Sequence, residues 1–171
     1  DNGIKLFNQD GAKLSDREET QIEHLILEQA SDESEEDALP RIGAIQAMKG
    51  ARQHYRDFLQ HCVPPDFSLE GVKVVLDCAN GAASAVAPSL FDVLGADLTV
   101  LHNAPNGINI NHRCGSEHPQ SLSRKVLETG ADVGLAFDGD GDRLIAVDEA
   151  GRVLTGDQLL AIGARLLHKH G

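Results

Sequence analysis

The spacing of apolar residues changes at Pro64-Pro65. Before the prolines, apolar positions recur every three or four residues, the period of a helix with one buried face. Ile22, Leu25 and Ile26 form one such stripe. SDRE at 15–18 precedes it as a capping box, with Ser15 as the cap and Glu18 reaching back. A second stripe (Ile45, Met48, Tyr55, Phe58, Leu59, Cys62) predicts a helix over 41–62 that the prolines stop. GIKLF at 3–7 reads as a short strand running into the turn residues NQDG. SDESEED at 31–37 carries five acids in seven positions and reads as a solvated linker.

After the prolines the apolar residues come in short unbroken runs: VKVVLD (72–77), DLTVL (97–101), ADVGLAF (131–137) and LIAVD (144–148). Such runs suit strands buried on both faces. Between them, 80–95 reads as a turn and a helix stopped by Gly95. PQSLSRKVLETG (119–130) has proline at its start and glycine at its end, the usual helix asymmetry. The alternation predicts an α/β fold, a mainly parallel β-sheet flanked by helices, with LIAVD returning beside the third strand. A final helix is expected from Gly156 to His170.

Composition narrows the function classes. Asp and Glu number 27 against 15 Lys and Arg, a net charge of −12 that opposes binding to nucleic acid or to an anionic membrane. No apolar stretch reaches the length of a membrane span, and no signal peptide is visible at the start. Three cysteines without a CxxC pair argue against a disulfide framework and for a reducing cytoplasm. The chain starts without methionine, and an internal piece of a longer protein is expected.

The chemistry concentrates in FDGDGDR at 137–143. Asp138, Asp140 and Asp142 alternate with Gly139 and Gly141 where a buried strand ends, the position at which ligands collect in β/α layer folds. Alternate side chains of an extended segment point the same way, so the three carboxylates can converge, and the glycines allow the backbone to bend around their meeting point. Three anions at one point call for a cation, and oxygen ligands favour Mg²⁺, Mn²⁺ or Ca²⁺ over zinc. Arg143 adds a planar cation suited to phosphate beside that metal. An EF-hand loop would place Glu149 at its twelfth position, but Arg143 occupies the sixth, where glycine is needed, and the flanks read as strands. His112, Cys114 and His118, with His102 nearby, match no common zinc spacing and read as a polar loop. DCANGAA (77–83) is a strand-to-helix turn whose helix start could hold an anion, with a structural turn as the default. Lys5 alone is an ordinary lysine.

FDGDGDR resembles the metal-binding loop of the α-D-phosphohexomutases. NGIK is similar to the segment after their phosphoserine loop, and VVLDCANGAAS…AP to the opening of their second domain. PNGININHRCGSEHP looks most like the branch that acts on amino sugars. The resemblance implies an enzyme of four domains, represented here by the C-terminal part of domain 1 (1–62), domain 2 with the metal loop at 138–143 (63–152) and the start of domain 3 (153–171). It implies intramolecular phosphoryl transfer through a phosphoserine, interconverting glucosamine 6-phosphate and glucosamine 1-phosphate. Asp138, Asp140 and Asp142 would hold Mg²⁺, Arg143 would bind phosphate near the reacting group, and Lys5 would shuttle a proton. The implied partners are a hexosamine phosphate and the other domains of the same polypeptide, without nucleic acid or membrane. Alternatives are phosphomannomutase or phosphoglucomutase activity, or a metal-binding module without catalysis. The serine loop and the sugar-recognition loops are not in this sequence, so the chain by itself is expected to be inactive.

Overall fold

The computed structural model describes residues 6–29 and 47–170. The chain divides into two compact units between residues 47 and 48.

In the first unit, Phe7 pairs with Lys13 in a single antiparallel bridge. Of the strand expected over 3–7, residues 3–5 lie outside the described part, and Phe7 is the residue that pairs. Asn8 Oδ1 holds the turn by accepting the N–H groups of Asp10 and Ala12 at 2.9 and 3.0 Å. Helix α1 spans Asp16–Gln29. Its capping box forms as expected: Glu18 Oε2 accepts Ser15 N–H at 2.9 Å and Ser15 Oγ accepts Glu18 N–H at 3.4 Å. The linker at 31–37 lies outside the described residues.

In the second unit, α2 runs over Ala51–His61. It is shorter than the spacing predicted. Gly50 takes φ 77°, a left-handed conformation that no helix continues through, so Met48 stands before the helix. Residues 41–46 are outside the described part. Beyond the prolines the elements follow the order β1 (Lys73–Asp77), a 3₁₀ turn (Ala82–Ala85), α3 (Ala87–Val93), β2 (Asp97–Leu101), α4 (Gln120–Thr129), β3 (Val133–Phe137), β4 (Leu144–Asp148) and α5 (Gly156–His170). Gly130 closes α4 in the left-handed conformation that the helix pattern implied.

The sheet order is β2-β1-β3-β4. β2 and β3 each run parallel to β1, and β4 returns antiparallel to β3, from Phe137↔Leu144 to Val133↔Asp148. Successive side chains of β1 serve opposite faces. Val75 joins Leu122, Val126, Ala136 and Val147 under α4, while Leu76 joins Ala87, Phe91, Leu98 and Leu135 under α3. Both faces of the central strand are therefore covered, which is why its sequence is continuously apolar.

The chain leaves β1 for β2 on one side, then crosses to β3 on the other. The carboxyl ends of β1 and β3 are neighbours at this reversal, the place where open α/β sheets form ligand crevices. Asp77 ends β1, and residues 138–143 follow β3 directly.

Candidate metal centre

Residues 138–143 connect β3 to β4. Asp138 N–H donates to the Arg143 carbonyl at 3.3 Å and Gly141 N–H to the Asp138 carbonyl at 3.2 Å. The loop is therefore a tight turn, not the extended segment that its alternating sequence suggests. The carboxylates converge all the same: one oxygen each of Asp138, Asp140 and Asp142 lies within 4.8 Å of the other two. Gly141 has the left-handed backbone the turn requires, at φ 77°. Gly139 matters for a different reason. A Cβ there would come within 2.7 Å of Asn111 Nδ2 and 2.8 Å of the Ile110 side chain.

Asp138 is buried, whereas Asp140 and Asp142 are exposed. Asp138 Oδ1 accepts the N–H groups of Gly141 and Arg143, both at 3.1 Å, and Oδ2 accepts Arg143 Nε at 3.0 Å. Burial pushes the Asp138 carboxyl up, but the hydrogen bonds from the Arg143 backbone and guanidinium outweigh it. Asp138 is held ionised below the ordinary aspartate range. A carboxylate offers about four acceptor sites, so three protein donors leave room for a cation on one edge. Asp142 shifts the other way: the charge of Asp140, then burial and the charge of Asp138, hold its carboxyl above the ordinary range. A bound cation would relieve that repulsion. The donor set is all carboxylate, without imidazole or thiolate, and fits a hard divalent ion rather than zinc.

Arg143 spans the group. Besides Asp138, its Nε lies 3.7 Å from Asp142 Oδ1 and its Nη1 3.4 Å from Glu117 Oε1, while 62% of the side chain stays exposed. The phosphate-binding candidate is thus also a hydrogen-bond donor to a metal-ligand candidate. The two hollows at Lys73, Asp97 and Thr129 and at Gln60, Pro64 and Phe67 do not reach this loop. Asp140 and Asp142 stand on an open face, with Asp138 buried. Lys5 lies outside the described residues.

The other sequence candidates rearrange. His112 and His118 are exposed and join no potential ligand group among the described residues. His102 and Cys114 do come together, around the buried Asp77. Spacing could not have shown this, since Asp77 meets partners 25 and 38 residues away. In DCANGAA the expected helix start is only the four-residue 3₁₀ turn, and Ala82 N–H donates to the Gly139 carbonyl at 2.8 Å. That donor serves the aspartate loop, not an anion.

Residues 53–151 match the family model described as phosphoglucomutase/phosphomannomutase, alpha/beta/alpha domain II. The chain belongs to this family. A protein from Syntrophus aciditrophicus named phosphoglucosamine mutase is 55% identical over the whole chain, and one of the same name from Syntrophobacter fumaroxidans is 52% identical. The chain spans 38% of the length of each. A solved phosphoglucomutase/phosphomannomutase family protein from Burkholderia thailandensis superposes with a TM-score of 0.57 at 31% identity, over 70% of this chain and 26% of that one. The family's α/β domain and the aspartate loop at its sheet end thus coincide in residues 53–151.

The raised Asp142 carboxyl carries a pH prediction. A cation needs the ionised form, so protons compete with it. Because the folded-state value is raised, this competition begins at higher pH than for an ordinary aspartate near ~3.9. Mn²⁺ affinity, titrated at a series of pH values, should weaken on acidification before that range is reached. Affinity unchanged down to ordinary aspartate titration would contradict it.

Proposed function

We propose that the chain carries the metal loop of a phosphosugar mutase that interconverts glucosamine 6-phosphate and glucosamine 1-phosphate. The convergence of Asp138, Asp140 and Asp142 beside Arg143, at the carboxyl end of β3, is the observation that carries this reading. The relatives' names support the amino-sugar substrate. Residues 1–62 would then be the C-terminal part of a first domain, 63–152 the second and 153–171 the start of a third, in a cytoplasmic enzyme. The open face at the aspartate loop suits a site completed by other domains of the same polypeptide.

The three carboxylates would hold Mg²⁺ against a phosphoserine supplied by another segment. When bound, the ion supplies charge neutralisation at the transferring phosphoryl group. Lys5 and Arg143 are the residues of this chain that would act on the reacting groups. In the forward step a sugar hydroxyl attacks phosphorus, the bond from phosphorus to the serine oxygen breaks, and Lys5 shuttles the hydroxyl proton to the departing serine oxygen. The bisphosphate then reorients and returns its other phosphoryl group to the serine. Arg143 binds oxygens of the phosphoryl group through a charge-assisted fork.

A chimera tests this reading. The present chain replaces the matching segment of the Syntrophus aciditrophicus relative, and the product is assayed with Mg²⁺ and the bisphosphate activator. It should interconvert the glucosamine phosphates at an ordinary enzymatic rate of ~1–100 s⁻¹. The sugar-recognition loops come from the host, so the rate and not the sugar preference is the readout. A folded chimera inactive on the glucosamine phosphates would leave a metal-binding module.

A further inference from the structure

Asp77 ends β1 with its side chain fully buried, yet it touches three separate segments. Its Oδ1 accepts Ala79 N–H at 2.9 Å, in the turn after β1. Its Oδ2 accepts Gly115 N–H at 3.1 Å, in the long loop that follows β2. The same oxygen lies 2.9 Å from Nδ1 of His102, the residue just after β2. A carboxylate only accepts, so the imidazole hydrogen sits on Nδ1.

Two of these segments hold the aspartate loop directly. Ala82 N–H donates to the Gly139 carbonyl and Ser116 N–H to the Phe137 carbonyl, both at 2.8 Å. Ser116 adjoins Gly115, which is itself wedged: a Cβ on it would lie 2.5 Å from the Phe137 carbonyl and 2.6 Å from Ala79 Cβ. Asp77 therefore sits one residue or turn behind each contact that fixes the aspartate loop. The backbone of these supports is strained. Among the described residues the non-glycine positions with positive φ are Ala79, Asn80, His102, Asn111 and Arg113, at 47–57°, and all belong to the two supporting segments. Such conformations persist only where the surroundings over-determine them. The grouping of Asp77, His102 and Cys114 is not an open ligand set, since protein donors already engage the carboxylate and burial pushes the Cys114 thiol up.

We propose that Asp77, oriented by His102, is the positioning residue of the metal loop: its buried carboxylate locks the turn after β1 and the loop after β2 into the shape that places Asp138, Asp140 and Asp142 together. This rests on the reading of those three residues as a cation site. Asp77→Asn keeps the size but presents an amide donor to N–H groups that need an acceptor. His102→Asn tolerates the left-handed backbone but removes the ring that reaches Asp77.

Both variants of the full 171-residue chain are followed by amide exchange and by Mn²⁺ titration, with Asp140→Asn as control. In each variant the Ala82 and Ser116 amides should exchange about 10-fold faster, and Mn²⁺ affinity should fall about 10-fold. Val74, Val75 and Leu76 should keep their protection, which excludes general unfolding. Asp140→Asn should bind Mn²⁺ about 100-fold more weakly while leaving the Ala82 and Ser116 amides protected. Unchanged exchange and affinity in Asp77→Asn would overturn the proposal, and if that variant fails to fold, His102→Asn decides by the same two readouts. Should the unaltered chain bind no Mn²⁺, the cation reading fails, and the exchange rates alone decide the positioning role.

Discussion

Asp140→Asn should lower kcat of the chimeric mutase by about 1,000-fold, the equivalent of roughly 4 kcal/mol of transition-state stabilisation. Asp140 is the clean choice among the three carboxylates. It is exposed, so an amide of the same size leaves the fold intact. Asp138 is not clean, because it accepts three hydrogen bonds that also close the loop. The loss should arise through the ion: the phosphoryl group would face Asp138 and Asp142 without a full counter-charge. Raising Mg²⁺ should recover part of the rate, since the defect is one of occupancy. Activity within a few-fold of the parent at low Mg²⁺ would remove Asp140 from the metal site.

Arg143→Lys should cost the same chimera about 30- to 150-fold in kcat/KM, equivalent to 2–3 kcal/mol for one charge-assisted contact. Lysine keeps the charge but not the planar fork. The geometry adds a second cost. Arg143 uses Nε on Asp138 Oδ2, leaving its outer nitrogens directed toward Glu117 and the open face. A lysine ammonium can replace one of these roles, not both. Mn²⁺ affinity should therefore also fall, by no more than about 10-fold, since Asp138 keeps its two backbone donors. Full kcat/KM with reduced metal affinity would make Arg143 a partner of Asp138 alone. The steady-state constants and the Mn²⁺ titration separate these outcomes.

The sheet could be read from the chain because its strands are short apolar runs closed by Asp or His. β2 and β4 end where those runs end. The aspartate loop was visible because its chemistry is local, three carboxylates within five residues. What escaped was non-local or conformational. Gly50 stops α2 by its backbone angle, whereas the apolar spacing of Ile45 and Met48 suggested that the helix went on. The histidine and cysteine loop matched no zinc spacing and read as a polar loop, but the structure joins His102 and Cys114 to Asp77, which the sequence presents as the plain end of a strand. Gly139 was assigned to backbone freedom when its need is space beside Ile110 and Asn111. Lys5 rests on the family resemblance.

The claim on which the mutase reading depends is that one divalent cation binds Asp138, Asp140 and Asp142 together. Calorimetric titration of Mn²⁺ into the 171-residue chain tests it most directly, with the unaltered chain compared against Asp140→Asn. One ion per chain is expected, with affinity about 100-fold weaker in the variant because a ligand, not merely its support, has been removed. Superimposable isotherms for the two proteins would contradict the account, leaving the three aspartates as the acidic turn of a β-hairpin.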